Sequence, residues 1–253
     1  MNKCIFITGA TAGFGKACSR LFAENGWNLI ITGRRKERLE KLASEIKSEY
    51  GVDVHTLNFD VRNQEEVARV VSELPQKIKD EIGILINNAG LAVGKGPIDN
   101  GIIDDWNRMI DTNVKGLLYV SNAVIPFLKA NKGGHIINIA SIAGKEVYPG
   151  GNVYCASKHA VDALSKAMRI DLVSHNIKVT NIAPGAAETE FSVVRFKGDQ
   201  SVADSVYDGF DPLQAIDIAE TAYFAATRPA HVNLNDIVIM PAAQASSQVL
   251  YKG

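Results

Sequence analysis

The 253-residue sequence predicts an α/β fold, a doubly wound parallel sheet of seven strands with helices on both faces. Three observations carry this. Short β-rich runs alternate with longer stretches of helical period; those runs are apolar almost throughout, as strands covered on both faces are; and the first run ends in a glycine-rich turn that opens into a helical pattern. No tandem repeat, low-complexity tract or Pro/Ser-rich linker divides the chain, so residues 1–253 are expected to form one domain.

The elements follow in order. "CIFIT" precedes a helical run at 15–25, "NLIIT" one at 36–49, and "VHTLNF" one at 64–74. "ILIN" leads through a loop to a long segment at 104–130, and "HIINIA" to the helix containing "GNVYCASKHAV". "KVTNIA" leads through a loop to a short helix at 217–226 and the last strand, "DIVIM". The stretch 184–212 reads as the longest irregular one, rich in glycine and polar residues. A loop of that length after a strand, at the edge where doubly wound sheets bind ligands, is expected to be a substrate lid.

Composition narrows the function classes. With 46% hydrophobic and 22% charged residues the chain should pack rather than stay disordered. The 27 Lys+Arg against 28 Asp+Glu leave a net charge of -1, so no global field draws it to nucleic acid or a membrane. Cys4, Cys18 and Cys155 form no C-x-x-C pair and cannot all pair internally, which suits free thiols in a reducing compartment. The apolar run in "MNKCIFITGA" is too short for a signal peptide or spanning helix. A cytoplasmic protein without a metal site is expected.

"TGATAGFG" sets Gly9, Gly13 and Gly15, with Thr11 and Phe14 among them, between the first strand and first helix. Glycines there permit a tight turn, close approach of a pyrophosphate to the backbone, and a helix N-terminus facing the phosphates. The spacing is G-x-x-x-G-x-G rather than G-x-G-x-x-G, and a purely structural turn is the alternative; its position favours a dinucleotide. No Gly-Lys-Ser/Thr follows, which excludes a P-loop. The second strand runs into Gly33-Arg34-Arg35, with no acid for ribose hydroxyls. Guanidinium groups suit a 2′-phosphate, so NADP is favoured over NAD and Arg34 is the foremost candidate, against the reading of two solvated arginines opening a helix.

"FDV" brings Asp60 and Val61, and "NNAG" brings Asn87, Ala89 and Gly90, to strand ends on the crevice side, where an adenine and its ribose would lie. Asp60 can accept from the adenine amino group or cap its own loop. Asn87 and Asn88 can tie neighbouring loops. In "GNVYCASKHAV", Tyr154 and Lys158 stand one turn apart on one helical face, able to serve one bound molecule or merely to share a surface. Cys155 lacks a nearby base to make it a nucleophile, and it reads with His159 as packing.

The ordered set of the glycine turn, "NNAG", Asn113 in "DTNVKG", Ser141 in "NIASIAG" and Tyr154-x-x-x-Lys158 resembles the short-chain dehydrogenase/reductase family over essentially the whole chain. The resemblance implies a Rossmann fold, NAD(P) as hydride carrier, and Asn113, Ser141, Tyr154 and Lys158 as catalytic residues. Tyr154 would exchange a proton with the substrate oxygen. A phenol titrating near 10 is a weak base, and Lys158 with the oxidised nicotinamide is expected to lower that value. Lys158 would also bond the nicotinamide ribose, Ser141 the substrate oxygen, and Asn113 a water linking Lys158 to solvent. Pro184-Gly185 resembles the family's turn beside the nicotinamide, and Thr189 a contact to the carboxamide or pyrophosphate; Phe14 stands where the family often has an aliphatic residue. The family also implies interfaces at 104–130, 153–174 and the last strand, hence a homotetramer.

Four stretches, "TGATAGFG", "TGRRKERL", "YPGGNVY" and "EFSVVRFKGD", resemble the NADP-dependent 3-hydroxy acid dehydrogenases. These imply serine, L-allo-threonine or 3-hydroxypropionate and malonic semialdehyde as the substrate class. Arg195 and Lys197 would then meet a substrate carboxylate, Arg195 by a bidentate fork, unless both are simply solvated. The turn after Pro184-Gly185 is a residue shorter than in those relatives, which leaves open another carbonyl substrate such as a 3-oxoacyl thioester or a sugar. A non-catalytic NADP-sensing protein should have lost Tyr154, Lys158 or Ser141, and all three are present.

Overall fold

Seven strands, all parallel, lie in the order β3-β2-β1-β4-β5-β6-β7 in the computed structural model, which describes residues 3–253. They are β1 Cys4–Ile7, β2 Asn28–Gly33, β3 Val54–Asn58, β4 Ile82–Asn87, β5 Gly134–Ile139, β6 Ile177–Pro184 and β7 Asp236–Ile239. Each coincides with an apolar run of the sequence. The winding reverses between β1 and β4, which pair directly, so a crevice opens beyond their C-terminal ends.

Alternation along β1 shows why these runs must be apolar on both sides. Ile5 and Ile7 enter one core layer with Leu29, Ile31, Phe22 and Ile46, whereas Cys4 and Phe6 enter the other with Leu85, Val124, Val161 and Val179. The first layer is closed by α1 Gly13–Glu24, α2 Lys36–Tyr50 and α10 Ala215–Ala226, and the second by α3 Gln64–Ser72, α6 Leu117–Ala130 and α7 Asn152–Leu172. In α2 the buried residues Leu39, Leu42, Ala43 and Ile46 make one stripe at helical spacing, and Gly51 ends the helix at φ +68°. Asn63 caps α3 by accepting from the Glu66 amide, and Gln214 with Asp217 forms a capping box on α10.

Several sequence expectations change. The segment 104–130 is not a single α-helix: α5 Ile103–Ile110 and α6 are joined by a π-helical turn, Asp111–Gly116, that holds Asn113. An extra short helix, α4 Gln76–Glu81, starts after Pro75, whose fixed φ suits a helix start. The stretch 184–212 is not wholly irregular, because it contains α8 Glu190–Arg195 and α9 Gln200–Ser205. The edge strands β3 and β7 alternate between covered and exposed positions rather than being buried on both faces, since an edge lies beyond the full cover of the flanking helices. Among the described residues no helix is long and apolar enough to cross a membrane. All three cysteines are free and buried, and burial pushes the thiols of Cys4 and Cys18 up to about 12, so both stay protonated and inert at neutral pH.

Candidate active site

A cleft of about 540 Å³ opens at the C-terminal ends of the strands. Its floor begins where β1 gives way to the glycine turn. Gly9 and Gly13 hold φ of +67° and +49°, and a Cβ on Gly15 would stand 2.4 Å from the Gly9 carbonyl oxygen. Only glycine fits that crossing of turn and helix. The 12-residue helix α1 then starts without a side-chain cap and without an acid in its first turn, so its amides remain open to an anion. Thr8 and Asn88 brace the floor: the Thr8 hydroxyl accepts from the amides of Asn88 (3.0 Å) and Ala89 (2.9 Å), and Asn88 Nδ2 donates to the Thr8 carbonyl at 2.8 Å. Gly9, Thr11, Gly13 and Phe14 line the cleft with Ala89 and Gly90, a cradle that fits a pyrophosphate.

Asn87 lies outside the cleft lining. Its Nδ2 donates to Ser121 Oγ and Asn138 Oδ1, each at 2.9 Å, so it ties β4 to its neighbours behind the floor. Asp60 and Val61 do line the cleft, but the Asp60 carboxylate is already engaged. Arg62 forks it through Nε (3.0 Å) and Nη2 (2.6 Å), and the Arg62 amide donates at 3.0 Å. Burial alone would raise this carboxyl, yet these bonds outweigh it and hold it below the usual range. Asp60 thus caps its own loop at the cleft wall.

Arg34 and Arg35 stand at this end of the cleft. Arg34 is 59% exposed with Nη1 3.8 Å from Asp60, leaving most of its fork free. Arg35 donates to Thr11 Oγ1 from Nη2 (3.0 Å) and Nε (3.3 Å), and from Nη1 to Glu190 at 3.0 Å. Six basic side chains, Arg34, Arg35, Lys95, Arg108, Lys158 and Arg195, line the cleft against two acidic ones, Asp60 and Glu190. The near-neutral chain thus builds one locally positive site.

At the other end, the first turns of α7 bring Tyr154 and Lys158 to the wall, both buried at 8% and 6% exposure. Lys158 Nζ donates to the Ile139 carbonyl at 2.9 Å and lies 6.0 Å from the centre of the Tyr154 ring. Burial lowers the Lys158 ammonium to about 8. Burial also pushes the Tyr154 phenol well above its ordinary value, with Tyr148 adding to the rise; Ser141 and Arg195 pull it back. Without a cofactor, desolvation outweighs the neighbouring groups at Tyr154, and Arg195 is the cation that opposes it. Ser141, at the end of β5, accepts from the Ala143 amide at 3.1 Å and also lines the cleft.

Asn113 is buried behind Gly90 rather than in the cleft wall. Its Oδ1 accepts from the Leu91 amide (2.8 Å), while Nδ2 donates to the Leu91 carbonyl (2.8 Å) and Ser157 Oγ (3.0 Å). Both amide hydrogens are spent on protein groups, so any water link would run through the main chain of the π turn or the remaining Oδ1 lone pair.

The segment after β6 closes the cleft. Pro184, Gly185 and Thr189 line it, and Thr189 caps α8 by accepting from the Phe191 amide at 3.2 Å. Arg195 donates to the Tyr148 hydroxyl at 3.0 Å, its guanidinium lies 5.4 Å from the Tyr148 ring and 5.8 Å from that of Tyr154, and its buried Nε has no partner among the described residues. Lys197 is not brought to the cleft; it pairs with the buried Asp105 at 2.7 Å. Tyr148 and Gln244 are among the lining residues that carried no sequence assignment. Tyr148 lies inside the quoted "YPGGNVY", where a second phenol six residues before Tyr154 was the available signal. Gln244, whose Oε1 accepts from the Ala186 amide at 2.8 Å, comes from the C-terminal region and had none.

Comparison with known proteins agrees with this layout. Residues 3–200 match the family model described as short chain dehydrogenase. The chain is 47% identical over 248 residues to sulfoacetaldehyde reductase 2 of Chromohalobacter salexigens, covering 98% of this chain and 97% of that one. It is 46% identical over 241 residues to an NADP-dependent 3-hydroxy acid dehydrogenase of Salmonella typhi, covering 95% of each. The solved closed form of serine dehydrogenase complexed with NADP+ superposes with a TM-score of 0.91 at 42% identity, covering 99% of both chains. On its sequence, its sheet and its cleft, the chain belongs to the short-chain dehydrogenase family.

Proposed function

We propose that the protein is an NADP-dependent oxidoreductase that moves a hydride between the cofactor and the hydroxyl or carbonyl carbon of a small 3-hydroxy acid or its oxo form. The observation that carries this is the placement of Arg195. The half-buried Arg195 sets its guanidinium 5.8 Å from the Tyr154 ring, with an Nε that has no partner among the described residues, so a substrate whose oxygen meets Tyr154 would present an anion on the adjoining carbon to this guanidinium. The names of the relatives fit this geometry: a 3-hydroxy acid and sulfoacetaldehyde both carry an anion one carbon away from the reacting centre.

The glycine turn and the open amides of α1 would hold the pyrophosphate, and Arg34 and Arg35 the 2′-phosphate, while Asp60, Val61, Ala89 and Gly90 flank the adenosine side. When bound, the nicotinamide supplies or accepts the hydride. Tyr154, kept protonated by burial, gives its proton to the carbonyl oxygen in reduction. Ser141 donates a hydrogen bond to the same oxygen and orients it. Lys158 would hold the nicotinamide ribose and, its ammonium lowered to about 8 by burial, can hold or release a proton one helical turn from Tyr154. Asn113 braces the Leu91 loop and α7 around that path.

A sulfonate in place of the carboxylate is the second reading, favoured by the same Arg195 and by the 47% identical relative. The reading takes the chain as one domain with 184–212 as its substrate lid. It further takes the enzyme as a cytoplasmic homotetramer, supported by the exposed apolar Leu118 on α6, Ile170 on α7 and Val238 on β7. Light scattering on a sizing column tests the assembly.

Absorbance at 340 nm, followed with NADP and with NAD, tests the activity on L-serine, L-allo-threonine, 3-hydroxyisobutyrate, 3-hydroxypropionate, 2-hydroxyethanesulfonate and neutral alcohols. Turnover of the acids with NADP is expected. Turnover confined to NAD or to neutral alcohols would overturn the proposal.

A further inference from the structure

Glu190 has no role in the chemistry above, yet it joins the two ends of the cleft. It is the first residue of α8, whose N-terminus rests on the glycine turn: a Cβ at Gly13 would stand 3.4 Å from Thr189. At the other end of the same six-residue helix, the Arg195 carbonyl accepts from the Gly94 amide at 3.0 Å and its guanidinium bonds Tyr148. Whatever fixes Glu190 therefore also constrains the helix that carries Arg195.

Two arginines fix it. Glu190 Oε2 accepts from Arg35 Nη1 at 3.0 Å, and both carboxylate oxygens accept from Arg38 Nη1 at 3.1 Å. The two donors differ in one respect. Arg35 lines the cleft where the proposed 2′-phosphate would sit, and Arg38 does not. A phosphate dianion draws Arg35 more strongly than a single carboxylate does, and it repels Glu190. With Arg35 as its only anchor, α8 would be loosened by the same cofactor it must close over. Arg38 removes that conflict, being one turn further along α2 and out of the phosphate's reach.

We propose that Glu190 is a positioning residue with a shared anchor: Arg35 and Arg38 hold the lid helix together, and Arg38 alone holds it once the cofactor phosphate has claimed Arg35. This rests on the NADP reading of Arg34 and Arg35. The consequence is that Arg38, remote from the reacting atoms, matters most when a 2′-phosphate is bound.

Hydrogen exchange of the amides at 190–198, read by mass spectrometry, tests this with adenosine 2′,5′-bisphosphate as the probe and 5′-AMP as its control. In Arg38→Ala, exchange should rise about fivefold on adding the bisphosphate and stay unchanged with 5′-AMP, the effect of losing one exposed ion pair. The wild type should show no such rise. Glu190→Gln should raise exchange at the same amides with or without a ligand, and should raise KM for an anionic substrate more than it lowers kcat. Equal exchange in Arg38→Ala with and without the bisphosphate, or unchanged exchange in Glu190→Gln, overturns the shared anchor. If the wild type binds the bisphosphate no more tightly than 5′-AMP, the NADP reading itself fails and the shared anchor with it, a result told apart by binding alone.

Discussion

Arg195 in α8 donates to the Tyr148 hydroxyl at 3.0 Å and sets its guanidinium 5.8 Å from the Tyr154 ring. A cation from a segment after the sixth strand is thereby held against two phenols near the start of α7. Its Nε has no partner among the described residues, so the guanidinium is not fully spent on protein contacts.

Arg195→Ala should raise KM for a 3-hydroxy acid by about 10- to 100-fold, the range of a charge-assisted hydrogen bond. A neutral alcohol should be affected about threefold or less. Arg195→Lys should recover only part of the loss, because an ammonium cannot reproduce the fork. Steady-state kinetics on matched charged and uncharged substrates check this; equal losses on both would count against an anion contact.

Tyr154→Phe keeps the ring and removes the proton. Turnover should fall by about 10²- to 10⁴-fold, whereas NADPH affinity, measured by fluorescence titration, should change little. A variant that retains turnover would place the proton donor elsewhere.

Arg34→Ser should weaken NADP binding by about tenfold or more and leave NAD binding nearly unchanged, since only the 2′-phosphate needs the guanidinium. Isothermal titration with both cofactors measures the ratio. A parallel loss for both would return Arg34 to the status of a solvated charge.

Lys158 supplies a pH signature. Burial lowers its ammonium from 10.5 to about 8, so between these values the unfolded chain holds a proton that the folded chain has released. Unfolding takes up a proton there, and stability from this group should rise with pH from about 8 to 10.5. Lys158→Met should lack that rise and should be relatively more stable than wild type at pH 7, where burying the charge is costly. Urea unfolding across pH 7 to 10 compares the two.

Asn113→Leu should cost about 2–4 kcal/mol, because the Leu91 amide and carbonyl would be left buried without their partner. Thermal unfolding should show a drop of several degrees, with an altered dichroism of the helical region if the π turn is lost.

The strands were legible because each is a short apolar run between turn residues, and periodicity reports burial directly. The glycine turn was legible for the same local reason: φ values of +67° and +49° need glycine at Gly9 and Gly13 whatever the remainder of the fold does. The π turn at "DTNVKG" inside 104–130 was not legible, because a π turn keeps helical composition. Its cause is remote in sequence, in the bonds that Asn113 makes to Leu91 and Ser157. Similarly, α8 depends less on its own period than on the Thr189 cap and the pairing of Glu190 with the distant Arg35 and Arg38.

By itself the sequence determined the parallel sheet, the dinucleotide turn and the Tyr154-Lys158 pair on one helical face, since each is encoded within a few residues of itself. Only the tertiary structure decided which charges remain free to act. Asp60 is taken by Arg62, Asn87 by Ser121 and Asn138, and Lys197 by Asp105, while Arg195 lines the cleft with an Nε that has no partner among the described residues. Side chains that look alike in a sequence differ by the partners the fold brings to them, and a buried charge already paired has little left to offer a ligand.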